Sequence, residues 1–320
     1  MKKALSLVLA LCMVFALCAC GSSSAKAKDT YTVGVCQLVQ HSALDAATEG
    51  FEAALKDKLG DKVTVDIQNA SGDSPTCSVI VNQFVSDEVD LIMANATPAL
   101  LAAQSSTGDI PILGTSITDY ASALGIENWT GATGINISGT SDLAPLDGQA
   151  DMLKELFPDA KTVGILYCSA EPNSKYQAET IAPILEGLGY KVTEYTFADS
   201  NEVSNVTANA VGENDVIYIP TDNTAASCTE AINNVALPAG VPIICGEENI
   251  CKGCGLATLS INYYDLGYAT GEMAYEILVN GADVSTMQIE YAPKFTKEYN
   301  AANAEALGIA LPSDYVAIAD

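Results

Sequence analysis

The chain spells out one pattern twice, in the same order. Thr32-Val33-Gly34-Val35 returns as Thr162-Val163-Gly164-Ile165, and Val89-Asp90-Leu91-Ile92-Met93 returns as Asn214-Asp215-Val216-Ile217-Tyr218. Ile110-Pro111-Ile112-Leu113-Gly114 is echoed by Val241-Pro242-Ile243-Ile244-Cys245-Gly246. Gly131-Ala132-Thr133-Gly134-Ile135-Asn136 has a counterpart in Leu256-Ala257-Thr258-Leu259-Ser260-Ile261-Asn262. Partners lie about 125 to 130 positions apart, and four such matches in one order point to two similar lobes. Short β-branched runs alternate with helical stretches, which calls for parallel sheets with helices covering them. With 320 residues, the chain is too long for a single core. The expected fold is α/β: two Rossmann-like lobes with parallel sheets, joined by a hinge.

The helices fit between these strands. Ser42 to Leu59 carries Leu44, Ala47, Phe51, Ala54 and Leu55 at helical spacing, and Gly60 closes it. Thr97-Pro98 reads as a helix start, with a capping hydroxyl at the N-cap and proline at the first helical position. Asp265 to Asn280 puts Leu266, Ala269, Met273, Ile277 and Leu278 on one face before Asn280-Gly281 ends it. Open parallel sheets place their sites beyond the strand C-termini. The loops at Gln37 to Ser42, Asn95 to Thr97, Thr115 to Asp119, Ser169 to Ser174, Thr221 to Thr224 and Gly246 to Asn249 are more polar than bare turns require. Facing one another, they would form a cleft that closes on a small ligand by hinge motion.

The amino terminus predicts an address. Lys2 and Lys3 precede an apolar run from Ala4 to Leu17, and Cys18-Ala19-Cys20-Gly21 follows. That charged, apolar, small-residue order is an export signal of the bacterial lipoprotein type. Its apolar core of about 14 residues falls short of the roughly 20 that a spanning helix needs. Cleavage before Cys20 would leave that thiol to carry lipid, whereas Cys18 would put bulky Leu17 before the cut. Residues 1–19 are therefore expected to be a signal peptide and 20–30 a flexible tether. The folded part would sit outside the cell membrane, held to it by a lipid anchor.

Composition removes several classes of function. A formal net charge of −26 leaves no surface for neutralising phosphates, so nucleic acid is excluded as a partner. Arginine is absent, so any carboxylate or phosphate must be held by lysine, hydroxyls, amides or helix N-termini. After Cys12, Cys18 and Cys20, the cysteines are Cys36, Cys77, Cys168, Cys228, Cys245, Cys251 and Cys254, an odd set that cannot all pair within one chain. Cys251 and Cys254 have metal-ligand spacing, but without a second pair they fit a loop disulfide or two free thiols better than a metal. The other cysteines lie mostly in apolar elements, as small hydrophobes.

Catalytic patterns are missing too. The sequence has no G-x-G-x-x-G opening a helix, no Walker-type lysine motif and no G-x-S-x-G elbow. His41 is the only histidine, which removes most triads and multi-histidine metal sites. Cys36 lies near it but at the inner end of an apolar strand, poorly placed for a nucleophile. His41 is better read as a hydrogen-bond donor or aromatic face for a ligand, or as a cap on the Ser42 helix. Asp119 and Glu247-Glu248 read better as carboxylates holding an ammonium group than as an acid-base pair. Trp129 reads as structural, with a cleft wall as the alternative. No catalytic residue, cofactor or metal is expected.

Several loops together resemble one family. They are Gln40-His41-Ser42-Ala43-Leu44-Asp45, Ala96-Thr97-Pro98, Asp142-Leu143-Ala144-Pro145, Glu171-Pro172-Asn173-Ser174, Pro220-Thr221-Asp222-Asn223-Thr224, Gly246-Glu247-Glu248 and Tyr263-Tyr264-Asp265-Leu266-Gly267. From about Tyr31 onward the chain is similar to the substrate-binding lipoproteins of ABC importers, in the tryptophan/tyrosine-type branch with the type I periplasmic-binding fold. The resemblance implies a monomeric two-lobe receptor that traps a small, typically aromatic amino acid and delivers it to an ABC permease with its ATPase. By motif it places ligand contacts at His41, Ser42, Thr97, Thr118, Asp119, Asp142, Glu171, Asn173, Asp222, Asn223, Glu247 and Asn262. Helix N-termini at Ser42 and Thr97 can take a carboxylate, and Asp142, Asp222 or Glu247 can pair with an ammonium. Asn262 departs from the pattern, which would have aspartate before the paired tyrosines, so one negative charge near the cleft is missing. Strand and hinge order predict lobe 1 as 31–140 plus 263–290 and lobe 2 as 141–262 plus 291–320. A signalling receptor on the same lobes, or a surface enzyme on the same scaffold, remain as alternatives.

Overall fold

The computed structural model describes residues 28–319; the expected signal, Cys20 and most of the tether lie outside the described residues. β1 (Tyr31–Gln37), β2 (Val63–Asn69), β3 (Leu91–Asn95), β4 (Ile112–Ile117) and β5 (Ile137–Ser141) run parallel in the order β2-β1-β3-β4-β5. β6 (Thr162–Cys168), β7 (Lys191–Phe197), β8 (Val216–Ile219), β9 (Ile243–Cys245) and β10 (Ala257–Ser260) repeat that order as β7-β6-β8-β9-β10. β11 (Glu290–Tyr291) then returns to pair with β5. β12 (Thr296–Tyr299) joins β10 antiparallel, and β13 (Val316–Ala317) closes the second sheet. Three crossings therefore link the lobes: after Ser141, after Ser260 and after Tyr291.

Each sheet is buried on both faces, as parallel strands require. In the first, Val33, Val35, Leu91 and Met93 pack with Phe51 and Met273 from the helices Ser42–Leu59 and Tyr263–Leu278. Cys36, Ile92, Ala94 and Ile112 face the other way, toward Val81, Phe84 and Leu100 of the helices Ser74–Ser86 and Thr97–Ser106. In the second, Val163 and Ile165 pack with Ala178, Ile181 and Leu185 of the helix Pro172–Gly187. Leu166 and Cys168 pack beneath Val203, Ile232 and Ile250. Trp129 sits half-buried against the core that holds Ile92, Val81 and Phe84.

Three of the sequence echoes coincide with paired strands: β1 with β6, β3 with β8, and β4 with β9. The fourth slips. Gly131–Asn136 precedes β5, whereas Ala257–Ser260 is itself β10. Gly131 at φ 92° and Gly134 at φ 74° turn the chain there, delaying the strand.

The Ser42 helix and the returning Tyr263 helix lie unusually close. A Cβ on Gly267 would strike the Ala47 carbonyl, one on Gly50 the Tyr264 carbonyl, and one on Gly271 the Phe51 carbonyl. Bare glycines on both sides let the backbones touch, and any side chain there would force the helices apart. The Tyr263 helix begins two positions before the expected Asp265 because Asn262 caps it, its Oδ1 accepting from Asp265 N–H at 2.9 Å.

Cys251 and Cys254 are buried free thiols within the short helix Glu248–Cys254, and the other five described cysteines are free as well. Among the described residues, no group of three or more His, Cys, Asp or Glu side chains could hold a metal. No described helix is long and apolar enough to cross a membrane.

Candidate functional site

The C-terminal ends of both sheets face each other across a cleft. His41, after β1, reaches over it: Nε2 lies 3.3 Å from Asn223 Oδ1, which follows β8. Near the crossings, Asp142 accepts from Tyr263 Oη at 3.1 Å and from Thr118 Oγ1 at 3.3 Å. Thr97, Asp119 and Ser122 of lobe 1 share a small cavity with Asn173 and Tyr176 of lobe 2.

Four described non-glycine positions on lobe 1 have positive φ, and two of them are buried at strand ends: Ala96, at φ 88° and ψ 154°, where glycine is strongly favoured, and Ser116, at φ 55°, in the left-handed region. Ala96, not Thr97, is the N-cap of the Thr97–Ser106 helix, and no side chain caps it. The expected role of Thr97 as a capping hydroxyl is thus corrected: the helix starts one residue earlier, and Thr97 Oγ1 is buried without a partner. Ser116 Oγ, Asn95 Oδ1, Asn173 Oδ1 and His41 Nδ1 are equally buried and unpartnered. Buried polar atoms are rarely left unpaired unless something else is meant to pair them.

Lobe 2, apart from Asn173 Oδ1 and Thr258 Oγ1, presents the opposite state. Glu171 accepts from Asn223 N–H and Nδ2, Thr224 N–H and Oγ1, and Asn173 Nδ2, at 2.6 to 3.2 Å. Asp222 accepts from Cys168 N–H and Ala225 N–H, both at 2.7 Å, and so caps the Asn223–Ser227 helix. Glu247 caps the Glu248–Cys254 helix through Asn249 and Ile250 N–H. Gln177 holds both the N–H and the carbonyl of Thr221. Burial pushes Asp222 up to about 7, with the Glu171 charge adding to it. Burial also raises Glu247 to about 8 and Asp142 to about 6, against the hydrogen bonds each accepts.

Of the twelve expected contacts, the structure brings His41 to Asn223 and Glu171, Thr118 to Asp142, and Thr97 and Asp119 to Asn173, with Asp222 buried behind Asn223 as its helix cap and Glu247 at the rim. Ser42 and Asn262 are exposed and line a rim cavity of about 300 Å3 with Tyr263 and Glu248. His41 occupies the N-cap position of its helix, but its ring makes no cap hydrogen bond. The Asn262 side chain is used as a helix cap, so its missing charge lies at the rim. Asn95 and Ser116 were not singled out by type or spacing. Asn95 is the last residue of β3 and Ser116 lies near the end of β4, and what marks them is an orphaned polar atom, which sequence does not display.

The family model described as "ABC transporter substrate binding protein" matches residues 32–320. A tyrosine-binding protein of Clostridioides difficile (strain R20291) is 40% identical over 254 residues, 78% of this chain and 73% of the relative. The crystal structure of an ABC domain from Streptococcus pneumoniae in complex with L-Trp is 31% identical with a TM-score of 0.85, covering 89% of this chain and 96% of that one. A ligand-free, open substrate-binding protein with adhesive properties from Clostridium difficile is 38% identical at a TM-score of 0.69, covering 90% and 99%. Overall similarity is thus higher to the L-Trp complex than to the open structure, although identity is lower.

Proposed function

The chain belongs to the ABC transporter substrate-binding protein family, whose members bind solutes rather than transform them, and we propose that it captures an aromatic amino acid in the interlobe cleft. The observation that carries this reading is the set of orphaned polar atoms. Thr97 Oγ1 and Ser116 Oγ, beside an uncapped helix N-terminus, supply donors for a carboxylate without arginine. Asn95 Oδ1, Asn173 Oδ1 and His41 Nδ1 supply acceptors for an ammonium group. Donors and acceptors in one cleft match a zwitterion.

A cavity of mixed lining adjoins them. Its volume is about 210 Å3, and Leu38, Val39 and Pro98 of lobe 1 with Ala170, Ala198 and Cys228 of lobe 2 give it an apolar part suited to a ring, beside Glu171, Asn223 and Thr224. The cavity shared by Thr97 and Asn173 is only about 10 Å3, so the lobes must part for entry and release. The tyrosine and tryptophan ligands of the two relatives support the aromatic class. Delivery to a permease and its ATPase, and a lipid anchor at Cys20 on the outer face of the membrane, complete the proposal.

Calorimetry against the common amino acids tests it. Tyrosine or tryptophan should bind and raise the melting temperature, since ligand at 100 times Kd adds about 2.7 kcal/mol. Absence of binding by every amino acid would overturn the reading. For the anchor, Cys20→Ser should move the protein from the membrane fraction to the medium, and retention at the membrane would refute it.

A further inference from the structure

Asn223 is pinned by Glu171. Its Nδ2 donates to Glu171 Oε2 at 2.6 Å, while its backbone N–H donates to the same oxygen at 3.0 Å. A carboxylate only accepts, so the amide must turn Nδ2 toward Glu171 and Oδ1 toward the opposite side. There Oδ1 meets His41 Nε2 across the cleft at 3.3 Å. An amide oxygen also only accepts, so His41 Nε2 must carry the proton. Burial holds His41 below its ordinary pKa, against the Asn223 hydrogen bond and the nearby charges of Glu171 and Asp45. The ring is therefore neutral, and Nδ1 keeps a lone pair that nothing in the protein uses.

We propose that His41 Nδ1 is the acceptor for the α-ammonium of the bound amino acid, its tautomer fixed by the Glu171–Asn223 pair. The inference rests on the cleft being the amino-acid site. It also reverses the sequence expectation for His41, which is an acceptor toward the ligand rather than a donor. An ammonium fits better than a ring hydroxyl or indole N–H for two reasons. It brings three donors and no acceptor to a cleft where Asn173 Oδ1 is also an unpaired acceptor. The charged groups acting on the His41 ring, Glu171 and Asp45, are both anionic. Glu171 already takes five donors, so it supplies negative potential while His41 supplies the contact. Asn223 and Glu171 are positioning residues.

Because His41 is the only histidine in the chain, nitrogen-15 labelling of histidine gives one imidazole spectrum from protein purified without a polyhistidine tag. The expected result is a neutral ring protonated at Nε2, with the Nδ1 resonance moved by bound amino acid. A ring protonated at Nδ1, an imidazolium, or an Nδ1 resonance untouched by ligand would overturn the proposal. Asn223→Ala should release the ring into a mixture of tautomers, a readout that a purely structural role would not move; an unchanged tautomer would refute the relay. In binding, His41→Ala should weaken L-tyrosine by about tenfold or more and leave its desamino analogue within about twofold. Equal loss for both compounds would sink the ammonium assignment. Failure of the unaltered protein to bind any amino acid overturns the receptor reading and this proposal together, whereas normal binding with the wrong tautomer overturns this proposal alone.

Discussion

Leaving β3, the chain passes through Ala96 at a glycine-like backbone angle and starts a helix with nothing capping it. Leaving β8, its echo, it passes through Asp222, whose carboxylate caps the next helix and also ties down Cys168. The same contrast separates β4, with Ser116 twisted and unpartnered, from β9, which leads into the capping Glu247. All four non-glycine residues with positive φ, among those described, lie in lobe 1. One scaffold has thus been finished in two ways. Lobe 2 satisfies most of its own rim, leaving Asn173 Oδ1 open, whereas lobe 1 keeps backbone strain and more open valences.

The contrast is broken most directly by Asp222→Ala. It strands two buried N–H groups, and unfolding of the ligand-free protein in denaturant should show a loss of about 3 kcal/mol. A loss below about 1 kcal/mol would mean that lobe 2 is not self-satisfied. In lobe 1, Thr97→Ala should do the reverse, lowering amino-acid affinity about tenfold or more in calorimetry while stability stays within about 0.5 kcal/mol. A stability loss as large as that of Asp222→Ala would erase the distinction.

Protonation sharpens the comparison, because two of the three strongly raised cleft acids are lobe 2 caps. The folded chain holds protons on Glu247, Asp222 and Asp142 up to about 8, 7 and 6, where the unfolded chain has released them near ordinary carboxylate values. Between pH 4 and 8 the folded state binds more protons, so stability should be highest near pH 4 and decline as pH rises through those values. Glu247→Gln should flatten the upper part of that decline in denaturant titrations across pH; an unchanged slope would count against it. The smallest effect is expected from Ala96→Gly, which relieves the strained N-cap and should raise stability by about 1 kcal/mol. No gain there would show that the backbone is not strained.

Much of the architecture was legible because it rests on periodicity. Alternating β-branched and helical runs, repeated in order, gave the paired sheets, and Leu44, Phe51 and Gly60 marked the Ser42 helix at both ends. The cleft loops were legible because polar residues clustered where parallel sheets expose their strand ends. The division of labour within the cleft was not. Glu171, Asp222 and Glu247 look like free carboxylates in a sequence, yet each is consumed by backbone N–H groups that only the fold brings to it. Conversely, Ser116 and Asn95 look unremarkable, and their isolation exists only in three dimensions.

The glycine seam between the Ser42 and Tyr263 helices has a consequence for how the molecule is made. Lobe 1 contains the first strand and helix of the described chain, yet its helical layer is closed by a segment that follows all five parallel strands of the second sheet. During synthesis, the five parallel strands of lobe 2 can assemble from contiguous chain, while the Ser42 helix waits with Ala47 and Phe51 bare until Gly267 and Gly271 arrive; β12 and β13 follow later still. Such long-range closure is entropically slow. The first helix of this protein is therefore buried only after most of the second sheet has been made.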